Sequence, residues 1–181
     1  DAKKRGVKIT CETCPHYFTF TVDEVKRSGT NAKMNPPLRE EKDRLAIIEG
    51  LKEGTIDCII TDHAPHSEDE KAQELSKAPN GIIGFETALP AEIMNLVDTG
   101  NLTYLDLVKV TSYNPAKLIK IDRGTIEVGK IADITVFDPN EEYVYTKEMI
   151  VSKSKNSPFI GKKLKGKVKY TIVSGKVVYS S

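Results

Sequence analysis

At 181 residues the chain has room for one ordinary domain or two small ones, and it is too short for a complete (β/α)8 barrel, which takes about 250. Its 27 Lys and Arg offset 26 Asp and Glu, and a net charge of +1 gives no electrostatic reason to expect nucleic acid or an acidic membrane as partner. With 39% hydrophobic and 29% charged residues it can bury a core, and no run approaches the roughly 20 apolar residues of a membrane span.

The first residues, Asp1 to Gly6, carry Lys3, Lys4 and Arg5 with no apolar stretch or small-residue cleavage site behind them, so they do not read as a signal peptide. They read as the last turn of a helix, with basic side chains at the carbonyl end and Gly6 as the stop. A chain opening there, without Met, is expected to be a fragment. Val7 to Cys11 alternates over a β-prone run and predicts a strand, followed by a long irregular segment as far as Pro37. Arg39 to Lys52 predicts a helix, with Leu45, Ile48 and Leu51 on one stripe and Glu40, Glu41 and Asp43 near its positive end. Ile56 to Thr61 is nearly continuously apolar, the pattern of a strand buried on both faces, and helix followed by such a strand signals α/β architecture with a parallel sheet.

His63 to Gly84 is long, charged and punctuated by Ala78-Pro79-Asn80-Gly81, which predicts a loop with at most a short helical turn; loops of this length are usually functional or disordered. Three helical stretches follow, about Glu86 to Asp98, Thr103 to Ser112 and Pro115 to Ile121. Short strands are expected at Thr125 to Val128, Asp133 to Phe137, Tyr143 to Tyr145, Val168 to Val173 and Lys176 to Tyr179, with Ser174-Gly175 turning the last hairpin. The change of period places a boundary near residue 123, between an α/β part (1–123) and a β-rich part (124–181).

The sharpest chemical signal is Thr61-Asp62-His63-Ala64-Pro65-His66 at the carboxyl end of the apolar strand, where ligands and catalytic groups of α/β sheets gather. A carboxylate there can ligate a divalent metal and carry a proton to a leaving nitrogen. An Asx-type turn with solvated histidines explains the same residues. The chain has three histidines, His16, His63 and His66, and neither His-x-His nor His-Glu-x-x-His, so either no metal binds or most ligands lie elsewhere. Cys11-Glu12-Thr13-Cys14 is formally a C-x-x-C, but it leaves a strand instead of opening a helix and has no second pair. The plainer reading is unremarkable free thiols in a reducing compartment, with His16 making a structural hydrogen bond. Two prolines after Asn35 fix the backbone and present its amide either to a ligand or to local backbone groups. Arg39 is able to clamp a carboxylate or stand on the surface. Ser67 to Lys71 reads as a solvated acidic face, and the lysines between Lys153 and Lys169 as exposed strand positions that guard an edge.

In order along the chain, Glu12-Thr13-Cys14-Pro15-His16-Tyr17, Lys33-Met34-Asn35-Pro36-Pro37-Leu38-Arg39, Gly54-Thr55-Ile56-Asp57, Thr61 to His66, Glu70-Lys71, Ala78 to Gly84 and Glu86-Thr87-Ala88 resemble the bacterial dihydroorotases of the cyclic amidohydrolase superfamily. Gly124-Thr125-Ile126, Gly129 to Ile134 and Asn156 to Gly161 look like that superfamily's C-terminal β segment. The resemblance implies the C-terminal portion of a (β/α)8 barrel plus part of a small β-rich domain. It also implies zinc-dependent, reversible cyclisation of N-carbamoyl-L-aspartate to L-dihydroorotate, a step of pyrimidine synthesis. Carried over by position, Asp62 is a zinc ligand and the catalytic acid/base, and Asn35, His66 and the backbone at Asn80-Gly81 bind substrate, while His63 supports the strand end. The family's His-x-His pair, its bridging ligand, two further zinc histidines and its main carboxylate-binding arginine all belong upstream of these motifs, so His16 is not expected to be a ligand.

One or two zinc ions per full-length subunit are therefore implied, held mostly outside this chain, and the 181 residues alone are expected to bind zinc weakly and turn over nothing. The implied partners are a small-molecule substrate, a second copy in a homodimer and aspartate transcarbamoylase, in the cytoplasm, with neither nucleic acid nor membrane. Three alternatives stay open at this point: a hydantoinase or allantoinase, a non-catalytic partner subunit, and a small redox or zinc protein built on Cys11 and Cys14.

Overall fold

The computed structural model describes residues 1–181 and is an α/β fold with two separate sheets. A single 3-10 turn at Lys3–Arg5 ends on Gly6, whose left-handed φ of 76° lets its N–H close onto the Lys3 carbonyl, as the basic-then-Gly pattern predicts. Lys3 Nζ then pairs with Asp57 at 2.7 Å and ties this turn to the start of the second strand. Strand β1 (Glu12–Thr13) lies parallel to β2 (Cys58–Ile59), with Glu12 opposite Cys58 and Thr13 opposite Ile59. A parallel pair needs a long crossover, and the intervening helices supply it.

Both strands are shorter than the sequence predicts. Val7 to Cys11 is not a strand: the Ile9 N–H turns back onto the Val7 carbonyl at 2.9 Å, Val7 and Ile9 are each 50% exposed, and the pairing begins only where Asp57 N–H reaches the Cys11 carbonyl. Alternation marks an extended segment, while a strand also needs a neighbour at hydrogen-bonding distance. Ile60, expected to be buried on both faces, is 36% exposed because no element of this chain covers it.

The segment expected to be irregular up to Pro37 is instead largely helical. Helix α1 (Pro15–Thr19) opens with Pro15 in its first turn, where the missing N–H costs nothing. Helix α2 (Asp23–Ser28) carries Asp23 and Glu24 at its positive end and stops at Gly29. Helix α3 (Glu41–Lys52) starts where the Asp43 carboxylate accepts the Glu40 N–H at 3.2 Å. It buries Ile48 and Leu51 against α1, but Leu45 of the expected stripe is 50% exposed. Arg44 of this helix donates to the Phe18 carbonyl at 2.9 Å. Phe18 itself is wholly buried, a burial that stabilises by about 1.5–3 kcal/mol.

After β2 comes the long loop, containing one helical turn, α4 (Glu68–Lys71), capped by Ser67, whose hydroxyl accepts the Glu70 N–H. Helices α5 (Ala88–Glu92) and α6 (Tyr104–Val108) each widen into a π turn, at Ile93–Val97 and Lys109–Tyr113, before α7 (Asn114–Leu118). The second sheet is antiparallel, in the order β3 (Ile134–Val144), β4 (Lys163–Val173), β5 (Lys176–Ser180). Two expected strands fuse into β3 because a register shift between Asp138 and Glu142 absorbs Pro139, Asn140 and Glu141 without ending the strand. Ser174 and Gly175, with φ of 49° and 78°, make the left-handed two-residue turn expected between β4 and β5. Thr125 to Val128 is not a strand: Ile126 is 83% exposed, and no neighbour pairs with it.

The larger apolar cluster joins Phe20, Met34, Ile82 and Ile83 to Tyr145, Phe159 and Leu164, so side chains from both sides of residue 123 share one core. A second cluster, with Phe18, Ile48, Leu51, Ile59, Ile93 and Leu96, sits under the parallel pair.

Candidate active site

Asp62 lies just beyond the carboxyl end of β2 with φ of 48°, a left-handed conformation that Asp tolerates better than most residues. It is exposed, and its carboxylate makes no hydrogen bond or ion pair. An Asx turn capping local amides is therefore not what this carboxylate does. Because β1 runs parallel to β2, the residues that leave its carboxyl end arrive beside Asp62. These are Cys14, the extended residue before α1, and His16 in the first turn of that helix. Donor atoms of Cys14, His16 and Asp62 all lie within 4.8 Å of one another.

The environment of this trio is unusual. Burial, then the negative charges of Asp62 and Glu12, push the Cys14 thiol up to about 12. Burial pushes His16 down to about 4, so its imidazole is neutral at physiological pH. The ring is 2% exposed and its Nε2 has no hydrogen-bond partner, which corrects the expected structural hydrogen bond. Such an orphan is costly unless something outside the protein satisfies it. Cys11 stands apart, its Sγ donating to the Thr55 carbonyl at 3.1 Å, so the C-x-x-C does not act as a unit.

The loop after Asp62 is organised by polar contacts that local sequence does not announce. His63 accepts the Gly84 N–H through Nδ1 at 3.1 Å and stacks on Phe85 with ring centroids 3.9 Å apart. It fixes the strand end, and its bonded Nδ1 faces the protein. His66 shares a 2.9 Å hydrogen bond between Nε2 and the Asn80 carbonyl; since a carbonyl only accepts, Nε2 carries the proton. The His66 backbone N–H donates to Asn156 Oδ1, and Asn156 Nδ2 donates to the carbonyls of Ala64 and Gly81. Lys71, only 6% exposed, donates from Nζ to the carbonyls of Pro79 and Gly81, both at 3.0 Å. Ser67 to Lys71 is thus not a uniformly solvated acidic face, because its cation is turned inward.

Asn35 is exposed on the neighbouring loop, which Tyr17 holds by donating its hydroxyl to the Pro36 carbonyl at 2.9 Å. The same loop meets the Asn80-Gly81 bend where Gly81 N–H donates to the Lys33 carbonyl at 2.8 Å. With that bond made, the Gly81 N–H is not available to a ligand, while the Asn80 N–H has no partner within the chain. Gly81 has φ of 108°, and a Cβ there would stand 2.6 Å from Ala64 Cβ, so only glycine lets this bend pack against the residues that follow Asp62. Arg39 lies on the surface, 3.9 Å from Asp43. An apolar cleft of about 490 Å³, lined by Ile60, Phe85, Leu89, Glu92, Tyr104 and Val108, holds none of Asp62, Asn35 or His66.

Sequence reasoning alone leaves Cys14, Lys71 and Asn156 outside the site. Each lies in a motif that carries the family resemblance, Glu12 to Tyr17, Glu70-Lys71 and Asn156 to Gly161, but the partners of Asn156 are contributed by residues 75 to 92 positions away.

The family model described as the amidohydrolase family matches residues 2–178. The chain belongs to the amidohydrolase family. Among this amidohydrolase chain's curated relatives is a dihydroorotase of Acetivibrio thermocellus, 58% identical over 178 residues, which cover 98% of this chain and 42% of the relative. A dihydroorotase of Clostridium acetobutylicum is 53% identical over 178 residues, with the same coverage of 98% and 42%. Among solved structures, the L-hydantoinase (dihydropyrimidinase) of Arthrobacter aurescens superposes with a TM-score of 0.91 at 34% identity, covering 99% of this chain and 41% of that one. The amidohydrolase chain thus spans about two fifths of the length of the relatives it matches.

Proposed function

We propose that the chain is the C-terminal portion of a bacterial dihydroorotase, which hydrolyses and forms the ring of L-dihydroorotate in pyrimidine synthesis. The observation that carries this reading is the unpaired Asp62 carboxylate at the carboxyl end of a parallel strand, in a chain 58% identical over 178 residues to a dihydroorotase. In this reading residues 1–123 are the last strand and helix units of a (β/α)8 barrel and residues 124–181 part of a β-rich domain. The exposed Ile60, Phe85 and Val108 of the apolar cleft then form the surface on which the preceding barrel segments pack. Retention of Asp62 argues against a non-catalytic scaffold, which has no use for an unpaired carboxylate at that position. The bonded, separate position of Cys11 argues against a redox pair.

Zinc is the cofactor this reading names, at one or two ions per full-length subunit. The donors fit it: a carboxylate, an imidazole and a thiol are all zinc ligands, and a buried imidazole nitrogen here lacks any protein partner. Asp62 is the residue of this chain that would hold the metal, and a bound zinc would supply Lewis-acid polarisation and an activated water at neutral pH. In the hydrolytic direction Asp62 accepts the proton released by the attacking water and delivers it to the departing amide nitrogen. Asn35 presents its carboxamide to the ring amide, as donor and acceptor at once. His66 shapes the Asn80-Gly81 bend, and the unbonded Asn80 N–H is the backbone donor offered to substrate. The same reading makes the enzyme a cytoplasmic homodimer, with aspartate transcarbamoylase as the protein partner; no helix here is long and apolar enough to cross a membrane.

A second reading is favoured by the superposition on hydantoinases. Initial hydrolysis rates on L-dihydroorotate, hydantoin and allantoin, measured with the longer polypeptide that includes this chain, separate the two. Preference for dihydroorotate is expected; preference for either other ring overturns the assignment.

A further inference from the structure

We propose that Lys71 and Lys33 are positioning residues for an anionic substrate: their ammonium groups hold the carbonyls of the Ala78-Pro79-Asn80-Gly81 bend and set positive charge directly behind the backbone N–H that the bend offers. The inference rests on the dihydroorotase reading and adds to it two residues that touch the bend instead of the substrate. Three observations support it.

The first is how completely the bend is held. Its four consecutive carbonyls each accept from a side chain: Ala78 from Lys33 Nζ at 2.6 Å, Pro79 from Lys71 Nζ at 3.0 Å, and Asn80 from His66 Nε2 at 2.9 Å. Gly81 accepts from Lys71 Nζ at 3.0 Å and from Asn156 Nδ2 at 3.2 Å. The same two lysines register the bend against the loop that carries Asn35, since Gly81 N–H donates to the Lys33 carbonyl and the Thr30 hydroxyl donates to the Lys71 carbonyl. The unbonded Asn80 N–H is therefore fixed before any substrate arrives, which spares binding the cost of ordering it.

The second is charge without counter-charge. Lys71 is 6% exposed and Lys33 half-buried, and neither makes an ion pair. The acids beside them are committed elsewhere: Glu68 pairs with Lys147, Glu70 accepts from Ser67, and Glu74 pairs with Lys77. Burial, then the neighbouring charge of Lys33, push the Lys71 ammonium down to about 8, so it stays charged at neutral pH. Buried charges are normally paired, and Lys71 has too little free surface for a further stretch of chain to reach it. An anion in front of the bend is the counter-charge that this arrangement lacks.

The third is direction. The Pro79 carbonyl and the Asn80 N–H belong to one trans peptide unit and point opposite ways. A cation on the carbonyl side therefore strengthens the donor on the other side, because linked hydrogen bonds polarise one another. A substrate oxygen on that N–H lies about 8 Å from the Lys71 ammonium, through the peptide. At that separation and an effective dielectric constant of about 20, one unit charge changes affinity by roughly 30-fold. An uncharged ring gains none of this, dihydroorotate gains it through one carboxylate, and N-carbamoyl-L-aspartate gains more through two.

Steady-state kinetics of the longer polypeptide in both directions, wild type against Lys71→Met, provide the test. KM is expected to rise by roughly 10-fold or more for L-dihydroorotate and by a larger factor for N-carbamoyl-L-aspartate, with kcat changed by less than about 2-fold. Lys33→Met, at the half-buried position, should shift the two KM values in the same order and carries the test should Lys71→Met not fold. KM values that stay unchanged, or rise by one common factor as simple loosening of the bend requires, overturn the proposal while an active wild type leaves the dihydroorotase reading standing. A wild-type polypeptide that does not turn over dihydroorotate removes that reading, and the proposal with it.

Discussion

Lys71 is where local sequence and surroundings disagree most. In the acidic run Glu68-Asp69-Glu70 it reads as a solvated cation, yet it is 6% exposed and its ammonium bridges the carbonyls of Pro79 and Gly81. Lys71→Met leaves the part-buried Pro79 carbonyl unpaired, at about 1–3 kcal/mol, and leaves the Gly81 carbonyl with Asn156 as its remaining donor. The expected outcome is a lower urea midpoint for the chain and, in the longer enzyme, a raised KM with kcat little changed, because the Asn80-Gly81 bend loosens while Asp62 stays. Glu92 offers a different test. Burial raises its carboxyl from 4.5 to about 7, so between those values the folded chain holds a proton that the unfolded chain has lost. Its contribution is complete below about pH 4.5 and is lost as pH rises through about 7, a swing of about 3 kcal/mol. Glu92→Gln should flatten that decline, which urea unfolding at about pH 5 and about pH 8 measures. Asp62 was legible as a reactive residue because its strand-end position follows from an apolar run. Cys14 was not, because its nearness to Asp62 depends on a parallel pairing between residues 46 positions apart.

At the scale of elements, what the sequence makes legible is what local physics decides. The α3 helix follows from its acidic first turn and its Ile48 and Leu51 stripe, and the β4–β5 hairpin from Ser174-Gly175. The parallel strands are overdrawn, because Val7 and Ile9 alternate without a partner. The helices between Cys14 and Pro37 escape a periodicity reading, because each is five or six residues long, less than two turns. Contacts between elements are carried by single residues. Gly166 of β4, at φ of 97°, lies where a Cβ would meet Ile93 Cδ1 at 2.4 Å. Gly166→Ala should therefore cost about 1–3 kcal/mol through strain and overpacking, seen as a fall in thermal midpoint. Asn156 is the polar counterpart, one amide joining the His66 backbone to the Ala64 and Gly81 carbonyls. Asn156→Ala should destabilise by about 1–3 kcal/mol for each group left unpaired and free the loop that carries His66, read as faster amide exchange over residues 64–66 and 80–81.

For the molecule as a whole, a chain too short for a barrel holds a parallel pair whose carboxyl ends bring Cys14, His16 and Asp62 within 4.8 Å of one another. It also exposes an apolar cleft that barrel segments would cover. Its coverage of 42% of a dihydroorotase relative fits one portion of a larger active site. The 181 residues by themselves should therefore not turn over dihydroorotate even with a cation bound, since the substrate-binding arginine and remaining ligands of the proposed enzyme lie outside them. The most direct test of the central claim is the steady-state rate of L-dihydroorotate hydrolysis by the longer polypeptide, compared between wild type and Asp62→Ala at matched folding and metal content. Robust turnover in the wild type and none above background in Asp62→Ala is the predicted result, and turnover that survives the substitution would contradict the role given to Asp62.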